Sequence, residues 1–122
     1  MNIYQEKILD HYHKPHNYGE ITNPTHAHSA NNPTCGDKIN ITAIVKDNVI
    51  TDLKFTGEGC AISQASASIV TDEIIGKTIT EVMKIDHEKI IELLGVNVGM
   101  GRIRCALLGI QTIQKALKQK QS

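Results

Sequence analysis

The sequence predicts an α+β domain, and three observations predict it. Ile39, Ile41, Ala43 and Val45 recur at every second position, the period of a half-buried strand. After the turn signal Asp47-Asn48, residues 49–56 return with Ile50, Leu53 and Phe55 apolar, which makes the pair an antiparallel hairpin. Apolar residues at helical spacing precede the hairpin and occupy most of the chain after it.

Bulk properties narrow the class. A chain of 122 residues is expected to form one domain over residues 1–122 with one modest core. Hydrophobic residues make up 40% and aromatics 3%, so that core must be largely aliphatic. Lys+Arg and Asp+Glu balance at 13 each, which leaves no field to steer the protein toward nucleic acid or anionic lipid. The segment Met1-Asn2-Ile3-Tyr4-Gln5-Glu6-Lys7 carries charges where a signal peptide needs an apolar stretch, and no run approaches the roughly 18 apolar residues of a membrane span. A cytoplasmic protein without a membrane partner is expected.

In chain order, residues 2–12 read as a helix with Ile3, Tyr4, Ile8, Leu9 and Tyr12 on helical spacing, stopped by Lys14-Pro15. Residues 13–34 hold all three prolines and are rich in Asn and His, which predicts an extended arm with an edge strand near Thr25 to Ala30. Beyond the hairpin, the small residues Ala61, Ser63, Ala65, Ser66, Ala67 and Ser68 lead into Ile69, Val70, Ile74 and Ile75, a helix expected to lay its small face on the sheet and to end at Gly76. Thr78-Ile79-Thr80-Glu81 fits a capping box opening a short helix through Val82 and Met83. Asp86 is placed as the cap of another, with Ile90, Ile91, Leu93 and Leu94 buried and Gly95 at its end. Residues 102–118 form the last helix, with Ile103, Leu107, Ile110, Ile113 and Leu117 as core contacts.

The chemistry concentrates in three cysteines and one aspartate. Asn31-Asn32-Pro33-Thr34-Cys35-Gly36-Asp37 sets a soft thiolate and a hard carboxylate two positions apart. Twenty-five residues separate Cys35 from Cys60 and forty-five separate Cys60 from Cys105, so no pair forms a CxxC knuckle and any shared site must be assembled by the fold. The hairpin brings its outer ends together, which sets Cys35-Gly36-Asp37 beside Gly57-Glu58-Gly59-Cys60. Three cysteines cannot all pair, and a reducing cytosol disfavours disulfides. Free thiols, metal thiolates and reactive sulfur remain open, with plain buried cysteines as the bland alternative. Cys60 and Cys105 lie at or near helix amino termini, where the dipole favours a thiolate, and Arg102 and Arg104 add positive charge beside Cys105. That setting suits metal ligation or nucleophilic sulfur.

Other residues receive plainer readings. His26 and His28 alternate and share one strand face, but nothing nearby supplies further ligands, so they are assigned to an exposed edge strand. His11, His13 and His16 are assigned to helix-end packing and solvent contact. Lys115, Lys118 and Lys120 form a solvated end that compensates the helix dipole.

The ordered set of motifs resembles the U-type iron-sulfur cluster assembly proteins, comprising IscU, SufU and the amino-terminal domain of NifU. The resemblance is carried by Leu9-Asp10-His11-Tyr12 with Pro15, Asn17 and Gly19, by Asn32-Pro33-Thr34-Cys35-Gly36-Asp37, by Phe55-Thr56-Gly57-Glu58-Gly59-Cys60 with Ile62-Ser63 and Ala65-Ser66-Ala67-Ser68, and by Arg102-Ile103-Arg104-Cys105-Ala106-Leu107-Leu108. It implies a three-stranded antiparallel sheet with helices packed on one face and a site at one tip formed by Cys35, Asp37, Cys60 and Cys105. Tyr4 matches an amino-terminal tyrosine of that family implicated in contacts between protomers, with simple core packing as the plain alternative. The Gly57-Glu58-Gly59-Cys60 loop and the Arg102-Ile103-Arg104-Cys105 segment look like SufU, whereas IscU proteins usually carry a histidine where this chain has Arg104. The separation of forty-five residues leaves no room for the usual SufU insertion, so the chain is SufU-like in motif and IscU-like in length. Where IscU has a chaperone-recognised Leu-Pro-Pro-Val-Lys segment, this chain reads Val98-Gly99-Met100-Gly101-Arg102.

Three thiolates and a carboxylate can close a tetrahedral zinc site, and the same groups can hold a transient [2Fe-2S] cluster. Asp37 is a harder and poorer partner for cluster iron than thiolate, which favours release to an acceptor over the permanent ligation of a ferredoxin. The resemblance therefore implies three readings. The first is a scaffold that takes sulfur from a cysteine desulfurase of the SufS or IscS type, builds a [2Fe-2S] cluster with iron and passes it to apo acceptor proteins. The second is a zinc-dependent sulfurtransferase partner of the desulfurase, and the third a zinc-stabilised binding module. Cys35 and Cys105 are the candidate persulfide acceptors, and a monomer or weak homo-oligomer is expected.

Overall fold

The computed structural model describes residues 3–32, 36–95 and 103–118, with side chains from residue 6 onward. The chain order is α1 (Ile3–His13), β1 (His26–Asn32), β2 (Asp37–Lys46), β3 (Val49–Glu58), α2 (Ala61–Ile74), α3 (Ile79–Met83), α4 (His87–Leu94) and α5 (Ile103–Lys118). The strands form one antiparallel sheet in the order β1-β2-β3. Helix α5 lies against β1 and β2, α2 lies against β3, and α1 packs on α2. The α+β class, the edge strand and the hairpin agree with the sequence reading.

The hairpin turns on Asp47 and Asn48, both with positive φ (52° and 66°), the conformation that matches the twist of paired strands. Ile39, Ile41 and Ala43 of β2 face the core. On β3, Ile50 and Leu53 are both fully buried although an odd separation should put them on opposite faces. A bulge resolves this: Ile44 pairs with Asp52 and Val45 with Ile50, so Thr51 is extra and the alternation is reset. The arm contributes on the far edge, where Gly19 N–H donates to Phe55 O (2.8 Å) and Phe55 N–H donates to Asn17 O (2.9 Å).

Helix ends follow the capping signals. Thr78 and Glu81 form the reciprocal box, with Glu81 N–H donating to Thr78 Oγ1 (3.1 Å) and Thr78 N–H donating to Glu81 Oε1 (3.0 Å). Asp86 Oδ1 accepts from Lys89 N–H (2.9 Å), and Gly95 closes α4 at φ 74°. Gln114 of α5 reaches the last turn of α3, donating from Nε2 to the carbonyls of Val82 and Ile85, each at 3.1 Å.

Two expectations change. Ile91 and Leu93 are half-buried, because the short α4 turns only its Ile90 and Leu94 stripe inward. The small face of α2 is directed not only at the sheet but closely at α5, where Ser66 Oγ donates to Ala106 O (2.6 Å) and Gly109 lies against Ala67. Small residues on both helices permit that approach. The expected start of the last helix at Arg102 lies outside the described residues.

Two stability predictions follow from these contacts. A Cβ at Gly109 would stand 3.2 Å from Ala67 Cα, so Gly109→Val should cost about 1–3 kcal/mol in denaturant unfolding. The hydrogen bond from Thr78 N–H holds the Glu81 carboxyl below its ordinary value of 4.5. A depressed folded-state pKa contributes stability above the unfolded value and loses it as pH falls through the folded one. The advantage of the native chain over Glu81→Gln should therefore be full at neutral pH and vanish on acidification, as followed by denaturant melts at several pH values.

Candidate metal centre

Asp37 opens β2 and is the hub of the tip. The register pairs Asn32 with Asp37 and Lys38 with Glu58, so the outer ends of all three strands meet there. Asp37 is fully buried. Its Oδ1 accepts the backbone N–H of Cys60 at 2.9 Å. Its Oδ2 is also buried and has no hydrogen-bond partner among the described residues. An unpartnered buried acceptor costs about 1–3 kcal/mol and calls for an occupant.

Gly59 makes the close approach of the loop feasible. Its φ is 146°, and a Cβ there would collide with the Asp37 carboxylate. Cys60 is then the N-cap of α2, yet its side chain makes no capping hydrogen bond, so the sulfur is not spent on the helix. Its carbonyl accepts from Gln64 N–H (3.2 Å) and from Ser63 Oγ–H (3.0 Å), which fixes the residue from behind. Cys105 lies in the first turn of α5 and is buried, while its neighbour Arg104 is exposed.

One carboxylate oxygen of Asp37 and the sulfurs of Cys60 and Cys105 lie within 4.8 Å of one another. Ligand atoms around a tetrahedral zinc with bonds of about 2.0–2.3 Å stand about 3.3–3.8 Å apart, so a small contraction would close three corners. Cys60 is the N-cap of α2 and Cys105 lies in the first turn of α5, so both sulfurs sit at helix amino termini. The residues therefore fit a divalent metal or an iron-sulfur unit. Three of the four sequence-predicted ligands are brought together. Cys35 lies outside the described residues, between Asn32 and Gly36, whose Gly36 N–H to Asn32 O hydrogen bond (2.8 Å) holds the two ends of that stretch. The Tyr4 side chain and residues 98–102 also lie outside them.

The histidines depart from the sequence reading. His26 is buried and hydrogen-bonded to Thr25 Oγ1 (2.9 Å), because Thr25 and His26 are drawn in where β1 joins β2, rather than exposed on an edge. His11 and His16 meet Asp72 of α2, a grouping that the sequence reading missed. Its one sequence signal was the i,i+4 spacing of Ser68 and Asp72 on the helix face that α1 covers. Burial first, then the neighbouring His16, pushes the His11 pKa below its ordinary value.

Comparison with known proteins agrees with this architecture. The family model for the NifU-like N-terminal domain matches residues 3–122. The zinc-dependent sulfurtransferase SufU of Bacillus subtilis is 35% identical over 136 aligned positions, covering 98% of this chain and 92% of that protein. That alignment is longer than the 122-residue chain, so this SufU carries additional residues. The iron-sulfur cluster assembly scaffold protein IscU 1 of Archaeoglobus fulgidus is 36% identical, covering 94% of this chain and 74% of that protein. Among solved structures, a putative iron-sulfur cluster assembly scaffold protein for the SUF system from Fervidobacterium islandicum superposes with a TM-score of 0.80 at 33% identity, covering 92% of this chain and 94% of that one. A NifU-like N-terminal protein from Brucella abortus shares the fold with a TM-score of 0.79. With its sheet, its tip and nearly its whole length matched, this chain belongs to the NifU-like N-terminal domain family.

Proposed function

We propose that this protein is an iron-sulfur cluster assembly scaffold that accepts sulfur from a cysteine desulfurase, joins it with iron as a [2Fe-2S] cluster and passes the cluster to acceptor proteins. The observation that carries this reading is the buried, half-satisfied Asp37 carboxylate facing the sulfurs of Cys60 and Cys105. The cluster is cargo here. Two thiolates and a carboxylate from the described residues, with Cys35 as the third thiolate, would hold it, and the hard oxygen ligand weakens the grip on one iron and aids release. No helix among the described residues is long and apolar enough to cross a membrane, and the reading sets the reaction in the cytoplasm.

The sulfur step needs no external oxidant. The Cys35 thiolate attacks the terminal sulfur of the desulfurase persulfide, a new S–S bond forms on Cys35, and the desulfurase cysteine leaves as its thiolate. Cys35 adjoins Gly36, whereas Cys105 is buried in α5, which favours Cys35 as acceptor. The second reading, a zinc-dependent sulfurtransferase partner of the desulfurase, draws support from the similarity to SufU and from Arg104 in place of the usual IscU histidine. In that case Cys35, Asp37, Cys60 and Cys105 would hold zinc, whose charge would keep the ligating thiols deprotonated.

Anaerobic incubation with ferrous iron, cysteine, a cysteine desulfurase and a thiol reductant, which supplies the electrons that iron oxidation does not provide to bring persulfide sulfur to sulfide, should develop visible cluster absorbance, transferable to an apo ferredoxin. Stimulated desulfurase turnover without that absorbance selects the second reading, and neither response leaves only a binding module. Mass spectrometry after desulfurase treatment should find persulfide on Cys35, lost in Cys35→Ser. Persulfide confined to Cys105, with Cys35→Ser fully competent, would reverse the acceptor assignment.

The tip also predicts a metal-linked stability. Chelation should lower the Tm of metal-loaded protein, since binding to the folded ligand set alone stabilises the native state. Gly59→Ala should push the Asp37 carboxylate aside, weaken zinc binding in a competition assay and shrink the chelation effect.

A further inference from the structure

A second group of metal-ligating side chains stands apart from the tip. His11 from α1, His16 from the arm and Asp72 from α2 each offer one ligand atom, and these atoms lie within 4.8 Å of one another. The imidazole centroids of His11 and His16 are 4.4 Å apart. His16 Nδ1 is 2.5 Å from Asp72 Oδ2, and both side chains are about half exposed, so solvent ions reach them.

The surroundings orient these groups as metal ligands are oriented. Nδ1 of His11 is hydrogen-bonded to the Ser68 hydroxyl (2.7 Å), which fixes the ring and leaves Nε2 for a ligand. The same hydroxyl accepts the backbone N–H of His16 (2.7 Å) and anchors the arm. Asn17 Nδ2 donates to Asp72 Oδ1 (2.8 Å), which aims the carboxylate and leaves Oδ2 toward the histidines. A cleft of about 160 Å3 opens onto His11 and Asp72. Lys7 lines it, but its ammonium is tied to Leu93 O (3.2 Å).

We propose that His11, His16 and Asp72 form a second metal site, which takes a divalent first-row transition ion of the zinc class and clips the arm and α1 to α2. Two imidazoles and one carboxylate suit zinc, nickel or copper over magnesium or calcium. Zinc–nitrogen and zinc–oxygen bonds of about 2.0–2.2 Å require ligand atoms about 3.3–3.5 Å apart. The three ligand atoms already lie within 4.8 Å, and the 2.5 Å hydrogen bond between His16 and Asp72 opens to admit the ion. Three protein ligands leave the fourth position to water.

The test uses the intact chain, first given one equivalent of Zn2+ and then titrated with more. A second equivalent should bind and shift the imidazole resonances of His11 and His16 in the NMR spectrum. His16→Gln and Asp72→Asn, both at exposed positions, should each weaken that equivalent at least about tenfold, and Ser68→Ala about tenfold through loss of ring orientation. Co2+ in place of Zn2+ separates the two sites: thiolate charge-transfer absorbance reports the cysteine tip, whereas the histidine site yields only weak d–d bands. Failure of the tip would remove the first signal alone. Imidazole resonances unmoved by any metal addition, or a second equivalent that survives both His16→Gln and Asp72→Asn, would overturn the proposal.

Discussion

One carboxylate organises the end of the sheet where all three strands meet. Asp37 is buried where the three strands end, and it divides its oxygens between a structural and an unassigned role. Oδ1 secures the Cys60 amide and thereby the first residue of α2. Oδ2 has no hydrogen-bond partner among the described residues, and one of the two oxygens lies within 4.8 Å of the sulfurs of Cys60 and Cys105. A neutral Asn could make the first contact but would present an amide NH2 in place of an anionic oxygen at the second. Among the described residues Oδ2 goes unsatisfied, and under the proposed function that deficit favours an occupant at the tip.

Glycine and small residues set how closely the parts approach. Gly59 lets the loop backbone pass over the Asp37 carboxylate at a distance that any side chain would forbid. Ala67 and Gly109 let α2 and α5 touch nearly backbone to backbone, and this contact sets where the first turn of α5 points Cys105. A shift of α5 by one methyl diameter would separate the two sulfurs. Helix packing far from the tip and ligand spacing at the tip are thus one constraint.

The other side of α2 serves the amino-terminal region. Ser68 faces α1 and the arm, and its single hydroxyl joins His11 to the backbone of His16. Asn17 and Asp72 extend the same polar seam. The arm has few apolar residues to bury, so these polar contacts and its backbone bonds to Phe55 hold it on the domain.

The sequence by itself determined the local structure and the likeness in which the chemistry is read. Period-two apolar positions marked β2, Asp47-Asn48 marked the turn, and Thr78, Glu81, Asp86 and Gly95 marked helix ends, because each acts through neighbours a few residues away. The hairpin alone brought Asp37 to Cys60. Only the tertiary structure decided the rest. Cys105 joins that pair across forty-five residues through the packing of α5, which no local period encodes. The bulge at Thr51 resets a strand to keep both Ile50 and Leu53 in the core. His11, His16 and Asp72 converge because α1, the arm and α2 fold onto one another, and beyond the i,i+4 spacing of Ser68 and Asp72 such long-range polar contacts leave nothing to read in the chain.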